Sequence, residues 1–101
     1  MPPIDLTTGE IVEGPIDVQA RACLMALKAA LEFAGSSLAD VVKATVYVTD
    51  PALVGAVNTA YAELFSEGWP ARTSAAIKSW ALPFDIEIEC IAFAPARPRP
   101  G

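Results

Sequence analysis

Histidine is absent from this sequence of 101 residues, and charged residues make up only 19% of it. Without histidine, the chain lacks the usual base of a serine hydrolase and the commonest protein ligand of a metal ion. Cys23 and Cys90 fit neither a CxxC spacing nor a zinc motif, so we expect two buried thiols in a reducing compartment. No metal or other cofactor is predicted.

Basic residues are also scarce, because seven Lys and Arg stand against twelve Asp and Glu, for a formal net charge of −5. A phosphate-neutralising surface is therefore not expected, and the composition argues against nucleic acid as a partner. No apolar run approaches the roughly 18 residues that a membrane helix needs. The start, Met1 to Asp5, has no basic and apolar regions of a signal peptide. These absences predict a cytoplasmic protein with no membrane contact.

Apolar residues are abundant and make up 53% of the sequence. A chain of this length forms one domain and buries only about 60–65% of the surface that its unfolded form exposes. The apolar surface left over predicts a partner, and we expect a homo-oligomer with closed symmetry. The alternative is an alanine-rich core that accounts for the composition without a partner.

Two segments have the spacing of amphipathic helices. Gly14-Pro15 opens the first, and Gly35 ends it in the manner of a helix C-terminus. Asp50 is a predicted N-cap ahead of Pro51, and the second helix runs to about Phe65. The apolar faces consist of Ala20, Cys23, Leu24, Leu27, Leu31 and Ala34 in the first helix, and of Leu53, Val57, Tyr61, Leu64 and Phe65 in the second.

Three segments, 41–49, 72–80 and 85–93, alternate as strands do. The order helix–strand–helix–strand–strand predicts one α+β domain over residues 1–93, with two helices on one face of a small mixed sheet. Residues 94–101 form a proline-rich tail that we expect to be disordered. The core side of the sheet is predicted to carry Val42, Ala44, Val46 and Val48 of the first strand and Ile86, Ile88, Cys90 and Ala92 of the last. The other face is predicted to carry Arg72, Ser74, Ala76, Lys78 and Trp80 of the second strand and Asp85, Glu87, Glu89 and Ile91 of the last.

Arg72 and Glu87 are the best charged groups for chemistry in this chain. An arginine fork binds a carboxylate through two charge-assisted hydrogen bonds, and a glutamate can orient a water or move a proton. If the last two strands form a hairpin that turns at 81–84, Lys78 lies opposite Glu87 and Arg72 lies near Phe93. Arg72 and Glu87 are then about 20 Å apart along the sheet, so they share a small ligand only across a subunit interface.

Structural roles for these residues stay open on the sequence alone. Arg72 could close an interface ion pair, and Glu87 could form an ordinary cross-strand pair with Lys78. Trp69 and Trp80 are expected to be packing anchors rather than a cofactor site.

Several segments together resemble the reactive intermediate deaminase family, the RidA/YjgF-like proteins. The resemblance runs from about Pro3 to Phe93 with its elements in order. The segments that carry it are Gln19-Ala20-Arg21, the stretch from Gly35-Ser36-Ser37 through Val46-Tyr47-Val48-Thr49-Asp50, Val57-Asn58-Thr59-Ala60-Tyr61, Pro70-Ala71-Arg72, and Ile86-Glu87-Ile88-Glu89-Cys90-Ile91-Ala92.

The resemblance implies a chorismate-mutase-like fold and a homotrimer with ligand sites between subunits. It implies hydrolysis of enamines or imines of the 2-aminoacrylate type to a keto acid and ammonia. By position, Arg72 matches the arginine that binds the substrate carboxylate, and Glu87 matches the glutamate that positions water. Asn58 matches a site-lining asparagine, Ser74 stands where many relatives have cysteine, and Ala71 adjoins the arginine in the same segment. These three residues are expected to bind the substrate together with Arg72. Relatives carry a pair of N-terminal strands ahead of the residue that matches Met1, so either the start of this chain is trimmed or misassigned, or the domain is naturally shortened.

Two other functions remain compatible with the same residues. A non-catalytic module could hold a small keto acid or another carboxylate in the same cleft and regulate a partner. Ribonuclease activity, which is sometimes attached to this family, fits the acidic composition and the absence of histidine least well.

Overall fold

The structure, a computed structural model, describes residues 1–65, 71–77 and 83–94. Two helices and three strands follow one another in the predicted order, and short 3-10 turns at Leu38–Asp40 and Pro51–Leu53 lead into the first strand and the second helix. The elements are α1 at Ile16–Phe33, β1 at Val41–Val48, α2 at Val54–Leu64, β2 at Ala71–Ala76 and β3 at Ile86–Ala92.

The ends of the helices follow the predicted signals. Helix α1 begins directly after Pro15, and it ends in a Schellman motif in which the Ser36 N–H donates to the Leu31 carbonyl at 2.7 Å. Gly35 has a φ of 86°, a left-handed conformation that a glycine adopts without strain. The Asp50 carboxylate accepts a hydrogen bond from the Ala52 N–H at 2.9 Å, so the predicted N-cap is confirmed.

The sheet has the strand order β2-β1-β3, with β1 parallel to β2 and antiparallel to β3. The predicted hairpin between the last two strands is therefore wrong, because β1 lies between them. Helix α2 lies in the crossover between β1 and the parallel strand β2, and β3 lies on the other side of β1. Glu87 lies opposite Tyr47 instead of Lys78, and Arg72 lies beside Ala44 instead of Phe93.

Both helices pack on one face of this sheet, which confirms the predicted α+β architecture. We call this the covered face; Val46, Ile86 and Ile88 on it are fully buried. The opposite, open face carries Thr45 and Tyr47 of β1 and Glu87, Glu89 and Ile91 of β3. The core between helices and sheet consists of Ala20, Cys23, Leu24, Leu27, Val41, Ala44, Val46, Val48, Val57, Ala60, Tyr61, Phe65, Ile86 and Ile88.

A bulge at the start of β1 changes which valine is buried. The register with β3 shifts between Val41 and Lys43, so Val42 is the extra residue. Val41 is 8% exposed and Val42 is 57% exposed. The prediction that Val42 belongs to the core is wrong, because one inserted residue reverses the alternation of side chains.

Gln19 fastens the start of α1 to the start of β3. Its side-chain amide donates to the Gly14 carbonyl at 2.8 Å, and its amide oxygen accepts from the Asp85 N–H at 2.8 Å. The Asp85 carboxylate in turn accepts from the Thr49 hydroxyl at 3.0 Å. Gln19 is buried, so these bonds satisfy polar groups that have lost their contact with water.

The segment before α1 forms a compact turn, and its first residue, Met1, pairs with β3. Ile4 and Ile11 bridge across it, and Gly9 occupies a positive φ of 75°, as expected for the turn predicted over Thr7–Glu10. Met1 exchanges both backbone hydrogen bonds with Ile88, at 2.7 and 3.0 Å, so it lies alongside the outer edge of β3.

Some predictions fall outside the described residues. Trp69, Trp80 and Lys78 are among them, as is most of the tail after Ala94. The division into a domain at 1–93 and a disordered tail at 94–101 stays a prediction. In the part of the chain that the structure describes, no helix is both long and apolar enough to cross a membrane.

Candidate functional site

Arg72 lies near the beginning of β2, an outer strand of the sheet, and its side chain is on the covered face. It pairs in register with Ala44, which is buried against the helices. Its guanidinium carbon lies 4.8 Å from the centroid of the Tyr61 ring on α2, and its Nε donates to the Ser74 hydroxyl at 3.2 Å. The assignment of Arg72 to the same face as Glu87 is therefore wrong.

The Arg72 guanidinium is half-buried and keeps its charge. Burial lowers its pKa from the ordinary value, and the nearby Tyr61 opposes this shift. An arginine stays protonated in proteins despite such a shift, so a partly desolvated cation is present. Among residues 1–65, 71–77 and 83–94, no carboxylate forms an ion pair with it. A partly buried cation without an acidic neighbour is suited to binding an anion from outside.

The other residues expected to line the site have different placements. Ser74 is exposed and follows Arg72 on the same face of β2, so these two residues are brought together by the strand alternation. Asn58 is exposed on α2, one helical turn before Tyr61, which places it on the side of the helix that leads to Arg72. Ala71 adjoins Arg72 and pairs with Lys43 in register.

Glu87 does not lie with these residues. It belongs to β3, the other outer strand, and its side chain is on the open face opposite Tyr47. Two strand spacings and three residues along the sheet separate it from Arg72, so the two Cα atoms are roughly 14 Å apart. The side chains also point to opposite sides of the sheet. One chain therefore does not bring Arg72 and Glu87 to one small ligand. The same conclusion followed from the predicted hairpin, but that hairpin was wrong.

Polar groups on the open face interact with one another. The Tyr47 hydroxyl donates to the Glu89 carboxylate at 2.9 Å, and the Met1 amino group lies 3.7 Å from the Glu87 carboxylate. The hydrogen bond to Glu89 raises the pKa of Tyr47, with smaller contributions from partial burial and from the two glutamates. A depression of about 210 Å³ lies on this face, lined by Lys43, Thr45, Glu89, Cys90 and Ile91. It does not include Arg72.

Neither cysteine has the features of a reactive thiol. Cys23 is buried in the core, and burial raises its pKa to about 12. Cys90 is half-buried rather than buried, and burial also raises its pKa. Thiols with raised pKa values are poor nucleophiles at neutral pH. Within the described residues, no three Cys, Asp or Glu side chains are grouped so that they could hold a metal ion.

Tyr61 is the residue of this site that the sequence did not reveal. Its spacing placed it correctly on the apolar face of α2, but its contact with Arg72 joins elements that are distant in the chain. The only sequence signal is a large aromatic residue one turn after Asn58.

Known proteins are similar to this chain over most of its length and share its fold. The model of the Endoribonuclease L-PSP family matches residues 2–94. The chain belongs to this family. A RutC family protein of Pyrococcus horikoshii is 50% identical over 93 residues, which cover 90% of this chain and 72% of that protein. The 2-iminobutanoate/2-iminopropanoate deaminase of Salmonella typhimurium is 38% identical over 98 residues, which cover 94% and 74% of the two chains.

Solved structures of the same family share the fold. RidA from an Antarctic Psychrobacter superimposes with a TM-score of 0.86 at 33% identity, over 92% of this chain and 75% of that one. The YjgF gene product of E. coli gives a TM-score of 0.82 at 36% identity, over 90% and 73% of the two chains. The chain is a RidA/YjgF-like protein with the α+β fold of that family, as its sequence motifs indicated.

Proposed function

We propose that this protein hydrolyses small 2-imino acids, and the enamines from which they form, to keto acids and ammonia. One relative, at 38% identity, carries the name of an imine deaminase. The observation that carries the proposal is the half-buried Arg72 guanidinium, which has no acidic partner among the described residues and lies beside the exposed Ser74. A substrate with a carboxylate next to its C=N bond supplies the anion that this cation lacks.

Arg72 would hold the substrate through its two terminal nitrogens. Its Nε already donates to Ser74, so the terminal N–H groups are the ones left for a planar carboxylate. Partial burial strengthens this contact, because a charged hydrogen bond gains in a medium of lower dielectric constant. A charge-assisted contact of this kind contributes about 1.5–3 kcal/mol.

The reaction itself needs little more than a held substrate and a positioned water. An enamine first tautomerises to the imine. Water then adds to the imine carbon, the new C–O bond forms, and the nitrogen takes up a proton to give a carbinolamine. The C–N bond breaks, ammonia leaves, and the oxygen loses its proton as the carbonyl forms. Because imines hydrolyse readily in water, holding both reactants in register supplies most of the necessary acceleration.

The site is proposed to lie between subunits of a homotrimer. Glu87 is the family-matched acid, but it lies on the open face, on the far side of the sheet from Arg72. A neighbouring copy that covers the edge strand β2 could bring its own Glu87 to the Arg72 side. Glu87 of the partner subunit would then accept a proton from the attacking water, or orient it.

A non-catalytic role is the second candidate, and one observation favours it. Within one chain, the described residues bring a cation and a hydroxyl to the site but no acid or base. Such a site binds a small carboxylate without any group to activate water. On this alternative, keto acids stabilise the protein against heat, Arg72→Ala abolishes that stabilisation, and no turnover occurs.

Replacement of Arg72 tests both candidates. We expect Arg72→Ala to slow ammonia release from 2-iminobutanoate, generated in situ, by about a hundredfold, because a charge-assisted anchor is lost. Arg21→Ala is the matched control, since Arg21 is an exposed arginine on α1 that pairs with Glu63. Ammonia release that continues at the same rate in Arg72→Ala excludes the proposed role of Arg72.

Subunit mixing tests the intersubunit site. Arg72→Ala and Glu87→Gln are each expected to release ammonia far more slowly than the parent, and co-refolding the two variants regenerates sites that combine an intact Arg72 with an intact Glu87 from a neighbour. Random mixing in a closed ring restores about a quarter of the sites. A mixture as inactive as its components, with mixed trimers verified by mass spectrometry, would show that the two residues do not serve one site.

A further inference from the structure

The Tyr61 ring is one of the most firmly held side chains in the described structure. It is fully buried in the core that joins α2 to the sheet. Its ring stacks on that of Phe65, one turn further along α2, with 4.4 Å between the ring centroids and 25° between the planes. A ring packed in this way on a helix has little freedom to move, so any group that rests on it is fixed with it.

The Arg72 guanidinium rests on this ring. Its central carbon is 4.8 Å from the ring centroid, within the range of a cation–π contact. Its Nε is fixed from another direction by the Ser74 hydroxyl. A ring on one side and an acceptor at Nε restrict both the position of the guanidinium and its rotation about the end of the side chain.

We propose that Tyr61 is a positioning residue: its ring is a platform that holds the Arg72 guanidinium in the orientation from which it binds a carboxylate. The inference rests on the proposed function only in giving Arg72 a carboxylate to bind. The platform is a property of the ring and not of the hydroxyl group. A free arginine side chain loses much rotational freedom when it binds a ligand, and an arginine that is already held loses less.

The variants separate the ring from the packing. Tyr61→Phe keeps the ring, and Tyr61→Leu replaces it with an aliphatic group of the core. Val57→Ala is the matched control, because Val57 is buried on the same helix, one turn before Tyr61, and its loss weakens the same core. The probe is 2-oxobutanoate, a keto acid that does not react, with its methyl ester as the uncharged comparison.

Binding is measured by calorimetry at a temperature where all variants are folded. We expect Tyr61→Leu to weaken 2-oxobutanoate binding about tenfold, while Tyr61→Phe stays within about twofold of the parent. Turnover should show the same split, with KM raised more than kcat is lowered. Equal weakening in Val57→Ala and Tyr61→Leu, or no weakening in Tyr61→Leu, overturns the inference.

A spectroscopic readout tests the platform without any ligand or turnover. The Arg72 Nε–H resonance should be shifted upfield by the ring current and visible because the Ser74 hydrogen bond slows its exchange. Tyr61→Phe should retain this shifted signal and Tyr61→Leu should lose it, with Arg72→Lys supplying the assignment. If ammonia release is absent but this pattern holds, the proposed function fails and the platform stands. If release is normal and the signal is the same in Tyr61→Leu, the platform fails alone.

Discussion

The two faces of the sheet present opposite environments on the same strands. On the covered face, Val46 and Ile88 are fully buried between helices and sheet. On the open face, Ile91 is 63% exposed, and Tyr47 and Glu89 satisfy each other with a hydrogen bond in contact with solvent. Strand β3 contributes residues to both faces, because alternate residues of a strand point to opposite sides of the sheet.

This difference separates the two charged residues that were expected to serve one site. Arg72 is on the covered face at the edge of the helix layer, where partial burial and an aromatic ring hold a cation without an acidic neighbour among the described residues. Glu87 is on the open face of the other outer strand. The sheet separates the two charges, so they do not neutralise each other within the chain; the Glu87 carboxylate instead lies 3.7 Å from the Met1 amino group.

Two isoleucines of β3, one on each face, measure the difference between the faces most directly. We expect Ile88→Ala to lower the free energy of unfolding by about 2–5 kcal/mol, since Ile88 is fully buried and its loss leaves a cavity. Ile91→Ala should cost under about 0.5 kcal/mol if the open face is in contact with water. Urea unfolding checks both. A large cost for Ile91→Ala that grows with protein concentration would show that a second copy covers the open face.

Gln19 tests how much the hydrogen bonds between the start of α1 and the start of β3 contribute to stability. Gln19→Leu leaves the Gly14 carbonyl and the Asp85 N–H without their partner inside the protein. We expect a loss of about 0.5–1.5 kcal/mol, the net worth of a hydrogen bond, because Gly14 and Asp85 are exposed and water can replace the lost amide. Val18→Ala, an exposed neighbour on α1, should be close to neutral. Equal unfolding midpoints for the two variants would contradict this role.

Ser74 and Thr73 compare hydroxyl groups that lie on the two faces of β2. Ser74→Ala removes the acceptor of the Arg72 Nε–H, so we expect binding of 2-oxobutanoate to weaken about threefold, the low end for an exposed hydrogen bond. Thr73→Ala changes the neighbouring residue, whose side chain is on the open face opposite Thr45, and should leave the affinity as it is. Calorimetry distinguishes the two variants. Weaker binding of 2-oxobutanoate by Thr73→Ala would mean that the open face contributes to the site.

The hydrogen bond of Tyr47 should have the smallest effect of these, and it is measured as a change in the pH at which the Tyr47 hydroxyl titrates. Its folded-state pKa is raised mainly by the hydrogen bond to Glu89, so the bond stabilises the protein below the ordinary tyrosine pKa of about 10. The stabilisation is lost as the pH rises through the higher folded-state pKa. In a Tyr61→Phe background, which leaves Tyr47 as the single tyrosine, tyrosinate absorbance should titrate at lower pH after Glu89→Gln. An unchanged titration curve would exclude the influence of Glu89.

Local patterns were sufficient to predict the elements of the fold. Proline and glycine placed the ends of α1, Asp50 capped the turn before α2, and alternation located β1 and β3 with their buried and exposed sides. These features depend on interactions within a few residues, which a sequence displays directly.

Pairings between distant elements were not predictable in the same way. The last two strands were expected to form a hairpin, but β1 separates them, and with β1 parallel to β2 the side chain of Arg72 is on the covered face. Alternation gives the period of a strand but not its neighbours, and a single extra residue, as at Val42, reverses which side chain is buried.

The sequence by itself determined the family and the α+β arrangement, and it singled out Arg72 as the candidate cation for a small carboxylate. Only the tertiary structure decided that Tyr61 supports that cation and that Glu87 lies on the other side of the sheet. The physical reason is that helices, caps and strand periods arise from short-range contacts. The environment of a charge depends on which strands lie side by side, and that is settled by burial of the whole core.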